Sequence, residues 1–100
     1  MRAFLAAILI LPIAAPAVSE TEQERADRCA AQTEIVLQAV EMRQKRRSEE
    51  RTKNAILDTT DEGLAPSVPL LVGFVYTLHR SDLKRDVSGS FLEQCNAYKQ

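Results

Sequence analysis

Apolar and polar positions divide this 100-residue chain into segments of different period. Ala3 to Leu11 is an unbroken apolar run, after which Pro12 and the small residues Ala14-Ala15-Pro16-Ala17 interrupt it. From there the pattern turns helical. Ala26, Cys29, Thr33, Val36 and Val40 recur at alternating steps of three and four, with Ala30 and Leu37 widening the stripe. That spacing predicts a first helix whose apolar face points into a core. Ser19-Glu20-Thr21-Glu22 and Thr21-Glu22-Gln23-Glu24 both match the capping box, so the helix should start near them. On its opposite side Ile35, Ala39 and Met42 form a second, narrower apolar strip. If only one side of the helix meets the core, this strip is a partner or dimer surface; if the bundle encloses both sides, it is ordinary packing.

Arg43, Lys45, Arg46 and Arg47 carry no apolar stripe, and the first helix should end near Arg47, its cations suiting the negative end of the helix dipole. Ser48 is placed to cap a second helix with Glu49 and Glu50 in its first turn and Thr52, Ala55, Ile56 and Thr59 on one face. One long helix from about Glu22 to Thr60 is the alternative, because no Gly or Pro falls between Arg43 and Lys53. The break is preferred. Thr60-Asp61-Glu62-Gly63, Pro66 and Pro69 mark a chain reversal. Ser67 then offers a cap for a third helix, with Pro69 in the first turn where its missing amide does no harm. Val68, Leu71, Val72, Val75 and Leu78 form its stripe, with Leu70 and Phe74 beside it. The run is β-branched enough for a buried strand. The cap, the length and the lack of a second strand to pair with favour helix. Gly73 would admit another backbone at close range. Ser81, followed by Asp82, offers the cap of a last helix carrying Leu83, Val87, Phe91, Cys95 and Tyr98. Ser88-Gly89-Ser90 should weaken its middle by about 1 kcal/mol relative to alanine and could kink it.

The expected fold is therefore all-α, a small three- or four-helix bundle. Arg2 followed by the apolar run and the small-residue stretch has the order of a secretory signal peptide, residues 1–17, with cleavage uncertain up to about residue 19. The run is far shorter than the roughly 20 residues a membrane span needs, so no stable membrane anchor is expected after processing. Residues 18–100 then form one helical domain, periplasmic or secreted. With twelve basic and fourteen acidic residues its net charge is −2, which gives no field to draw nucleic acid or anionic membrane. Export places the two cysteines, Cys29 and Cys95, where thiols oxidise. Each lies on the apolar stripe of its own helix, so a disulfide should join the first and last helices. Closing that loop would stabilise so small a core by roughly 4 kcal/mol.

Chemistry is sparse. His79 is the only histidine and the cysteines are spoken for, so a zinc site lacks its usual ligands. Cys29 and Cys95 are too far apart in sequence for a CxxC redox pair, and structural bridging is the expectation. His79, Ser81 and Asp82 lie together only because they sit at a helix junction. Glu49-Glu50 and Asp61-Glu62 lie in polar stretches that would not raise a carboxyl pKa. The three glycines stand alone and form no phosphate loop. The cluster from Arg43 to Arg47 reads as a solvated helix end. No metal, cofactor or catalytic residue is nominated. The expectation is a noncatalytic interaction protein that meets another protein, or a second copy, near Ile35, Ala39 and Met42.

Phe74-Val75-Tyr76-Thr77-Leu78 followed by Phe91-Leu92-Glu93-Gln94-Cys95, with Cys29 near the mature N-terminus, resembles small exported bacterial proteins of unknown function. The resemblance spans most of the mature chain and implies a helical domain with its two cysteines joined. By architecture alone the chain is also similar to the acid-stress chaperones of the periplasm, which are helical and exported and held by one disulfide. That likeness implies a holdase alternative, in which apolar surface is exposed on acidification.

Overall fold

A computed structural model describes residues 20–98. The signal segment expected over residues 1–17 lies outside the described residues. Four α-helices follow one another: α1 (Glu22–Gln44), α2 (Glu49–Leu57), α3 (Val68–Thr77) and α4 (Val87–Ala97). Short 3₁₀ turns, Ala65–Ser67 and Arg80–Lys84, precede α3 and α4. No strand occurs among the described residues. Their helices include none long and apolar enough to cross a membrane.

The first helix opens on the capping box at Thr21: Glu24 N–H donates to Thr21 Oγ1 at 3.0 Å, and Thr21 N–H donates to Glu24 Oε1 at 2.9 Å. It ends where the basic cluster begins. Arg46 adopts a left-handed backbone, φ 64°, while Arg47 N–H donates to Met42 O at 3.0 Å and Arg46 N–H to Arg43 O at 2.9 Å. This is a Schellman stop made without glycine. Ser48 caps α2 by accepting from Arg51 N–H at 3.1 Å, so residues 22–57 form two helices with a turn between them.

The core is built from Ile35, Val36, Ala39 and Val40 of α1, Ile56 of α2, Val68, Leu71, Val72 and Val75 of α3, and Leu83. α1 packs against α2, α3 and α4 in turn, so both of its apolar sides are covered. The strip Ile35, Ala39 and Met42 is consequently no surface. Ile35 is 4 % exposed, Ala39 is fully buried and Met42 packs on the core. Of the opposite stripe Cys29, Val36 and Val40 are buried and Thr33 partly so, whereas Ala26, expected to point inward, and the flanking Ala30 and Leu37 are exposed.

Two expected caps are also corrected. Ser67 has helical backbone and no capping bond; its hydroxyl accepts from Gln32 Nε2 at 3.3 Å instead. Ser81 lies inside a 3₁₀ turn, and α4 starts later, where Asp86 Oδ1 accepts from Gly89 N–H at 2.9 Å. Gly89 thus belongs to the first turn, where a Cβ would meet the Asp86 carboxylate. At Gly73 no backbone approaches; the nearest atom to a Cβ there would be Glu49 Oε2 at 3.7 Å.

Polar side chains of α1 tie the bundle together across helix ends. Arg43 Nη1 donates to Val75 O at 2.6 Å near the C-terminus of α3, where a cation is favoured, and its guanidinium stands 5.5 Å from the Tyr76 ring centroid. Gln44 Nε2 donates to Leu83 O at 2.9 Å. The Tyr76 hydroxyl donates to Arg47 O at 2.6 Å and accepts from the fully buried Thr52 hydroxyl at 2.7 Å, pinning the α1–α2 turn onto α3.

Replacing Arg46 with glycine should stabilise the fold by about 1 kcal/mol, because glycine bears no penalty at positive φ; urea denaturation measures it. Tyr76→Phe should cost about 1–2 kcal/mol by leaving the buried Thr52 hydroxyl without an acceptor. In the same urea experiment, adding Thr52→Val to Tyr76→Phe should recover part of that loss.

Candidate docking groove

The helices that frame the site are held by different means. α3 buries Val68, Leu71, Val72 and Val75 on one side. Its spacing therefore turns Leu70 and Phe74 outward, and they stay 76 % and 41 % exposed. α4 has no fully buried residue. It packs on α1, with Val87 and Phe91 resting on the core, and is fastened there by the Cys29–Cys95 disulfide, whose Cα atoms are 5.8 Å apart. Both helices pack on α1 but scarcely on each other. That splay leaves an apolar groove.

Leu70, Phe74 and Leu78 line it from α3 and the residue that follows, and Val87 and Phe91 line it from α4. The Phe74 and Phe91 rings face each other across it, with centroids 6.3 Å apart and planes tilted by 43°. Glu49, Asp82, Arg85 and Asp86 supply its charges. Gly73 lies between Leu70 and Phe74 on the same helix and lines the groove too. In a helix interior glycine costs about 1 kcal/mol relative to alanine. No close packing within the chain requires it there.

A second, smaller depression shares Leu70, Leu71, Phe91 and Gln94 with the groove and reaches Cys95, Tyr98, Arg28 and Gln32. Tyr98 is 64 % exposed. Arg28 is clamped by Glu20, Nε to Oε2 at 2.7 Å and Nη2 to Oε1 at 2.9 Å. The hydrogen bonds from Arg28 lower the Glu20 carboxyl pKa below its ordinary value of 4.5, against a smaller opposing effect of burial, and hydrogen bonding to Glu20 raises that of Arg28.

The residues weighed for chemistry are scattered. His79 and Ser81 are exposed at the junction before the second 3₁₀ turn, and the Asp82 carboxylate lies 3.8 Å from Arg85 Nε. Among the described residues no group of three or more His, Cys, Asp or Glu is placed to hold a metal ion. Ile35, Ala39 and Met42 stand inside the bundle, while Leu70 and Phe74, expected only as neighbours of the α3 stripe, carry the exposed apolar surface. The signal was present in the sequence: Leu70 and Phe74 are four apart and offset from Val68, Leu71, Val72 and Val75. No family model, curated protein or solved structure matches the chain.

Folded-state binding of protons by Glu20 is weaker than in the unfolded chain, so the contribution of the Glu20–Arg28 pair is present above the ordinary carboxyl pKa and lost as pH falls through the lowered one. Thermal melts should accordingly show Glu20→Gln less stable than wild type at pH 7, with the difference fading as pH falls below the ordinary carboxyl range.

Proposed function

We propose that this is a noncatalytic, exported interaction protein that docks another protein in the α3–α4 groove. The observation that carries the reading is the exposure of Leu70 and Phe74 on a helix whose other side is wholly in the core. A hydrophobic side chain that is three-quarters exposed beside an aromatic pair marks a contiguous apolar surface, and such surfaces are the usual sites of protein contact. Gly73 supports the same reading, since its small size keeps the wall of the groove low. The disulfide is consistent with an oxidising compartment, and the order of charged, apolar and small residues over 1–17 supports export.

Tagged mature protein, a Leu70→Asp/Phe74→Asp variant and a Leu37→Asp control should be compared in pull-downs from periplasmic extract, with sedimentation of each at neutral and acid pH. A discrete, saturable partner retained by wild type and by the Leu37 control but lost from the groove variant is the expected result. Identical partner lists for all three, from folded proteins, would reject the groove. A concentration-dependent second copy, or nonselective capture of unfolded clients at low pH alone, would replace this reading with a homodimer or with the holdase.

A further inference from the structure

The two sulfurs of the disulfide stand in unequal surroundings. Cys29 is wholly enclosed within α1 and its neighbours. Cys95 is half-buried and lines the small cleft where α1, α3 and α4 meet. Arg28 Nη1 lies 3.7 Å from Cys95 Sγ, and Gln32 Oε1 lies 3.8 Å from it. The guanidinium is not loose. Glu20 holds its Nε and Nη2 edge, and Gln32 accepts from Nη1 at 3.2 Å, which fixes the remaining N–H toward the sulfur. Tyr98 is the one other ionisable side chain on this cleft among the described residues.

Thiol–disulfide exchange proceeds by attack of a thiolate on one sulfur and departure of the other, so both access and local charge decide where it starts. We propose that exchange with a solvent-borne thiol or disulfide reaches this protein at Cys95 alone, with Arg28 as the positioning residue that favours negative charge there. In the reductive direction the incoming thiolate attacks Cys95 Sγ and forms a mixed disulfide. The bond to Cys29 breaks, and its electron pair stays on Cys29 Sγ, which takes up a proton. A second thiolate of the reductant then attacks the sulfur of its own kind, leaves as the oxidised disulfide, and releases Cys95 as a thiolate beside Arg28. Bond formation runs the same steps backwards: Cys95 thiolate opens a disulfide of the oxidant, and Cys29 displaces it from the mixed disulfide. This assignment does not rest on the groove reading, and it concerns the chain with the α3–α4 groove free, since the cleft shares Leu70, Leu71, Phe91 and Gln94 with it.

Oxidised glutathione is the probe. In folded Cys29→Ala protein it should cap Cys95 at least about tenfold faster than it caps Cys29 in folded Cys95→Ala protein, read by mass spectrometry. Alkylation of Cys95 should titrate below the ordinary thiol pKa of about 8.5. Arg28→Gln should raise that midpoint and slow capping on the order of fivefold at low salt, and Arg28→Lys should restore most of the rate. Because both cysteine variants lack the staple, the intact oxidised chain supplies a second measurement. Its reduction by glutathione under native conditions should rise in proportion to thiol concentration and slow in Arg28→Gln. A rate that levels off at the global unfolding rate, equal reactivity of the two cysteines, or indifference to Arg28→Gln would overturn the proposal.

Discussion

The covalent bond between Cys29 and Cys95 is the constraint on which the arrangement depends. α4 has no fully buried residue, so hydrophobic burial alone holds it weakly against α1. The bond fixes its C-terminal half at one place on α1, while Asp86 organises its first turn and Leu83, just before it, is buried in the core. Closing a loop with 66 residues of separation removes enough freedom from the unfolded chain to stabilise the folded one by roughly 4 kcal/mol. That is comparable to the whole contribution expected from a core of this size.

Around that bond α1 serves as the common wall. Its 23 residues meet each of the other three helices, which are 9, 10 and 11 residues long. A helix with neighbours on several sides cannot keep a single apolar stripe. Arg28, Gln32, Arg43 and Gln44 of α1 fill the spaces between its apolar contacts by hydrogen-bonding to neighbouring elements. Arg43 and Arg47 show that part of the basic cluster is structural: one side chain reaches a carbonyl of α3, and the other residue's own carbonyl receives the Tyr76 hydroxyl.

Much of this was legible along the chain. The helical class, the Thr21 and Ser48 caps, the break near Arg47, the inward stripe of α3 and the joining of Cys29 to Cys95 all rest on local rules that the fold obeys. The errors about exposed surface share one cause, which is that periodicity gives faces but not neighbours. Ile35 and Ala39 formed the weaker of two stripes, yet neighbouring helices cover them. Leu70 and Phe74 lay beside a strong stripe, yet among the described residues none covers the space between α3 and α4. Ser67 and Ser81 were good caps by composition but were absorbed into 3₁₀ turns, and Asp86, with Gly89 clearing room for its carboxylate, took the role instead. The groove itself depends on a gap between two helices, and no one-dimensional pattern encodes a gap.

The placement of the disulfide also has a mechanical side. Cys29 lies in the second turn of α1 and Cys95 in the last turn of α4, so the bond brackets nearly the entire packed core. Tension applied to the chain outside these two residues runs through sulfur to sulfur and bypasses the helices between them. The core is thereby shielded from pulling while the bond is intact.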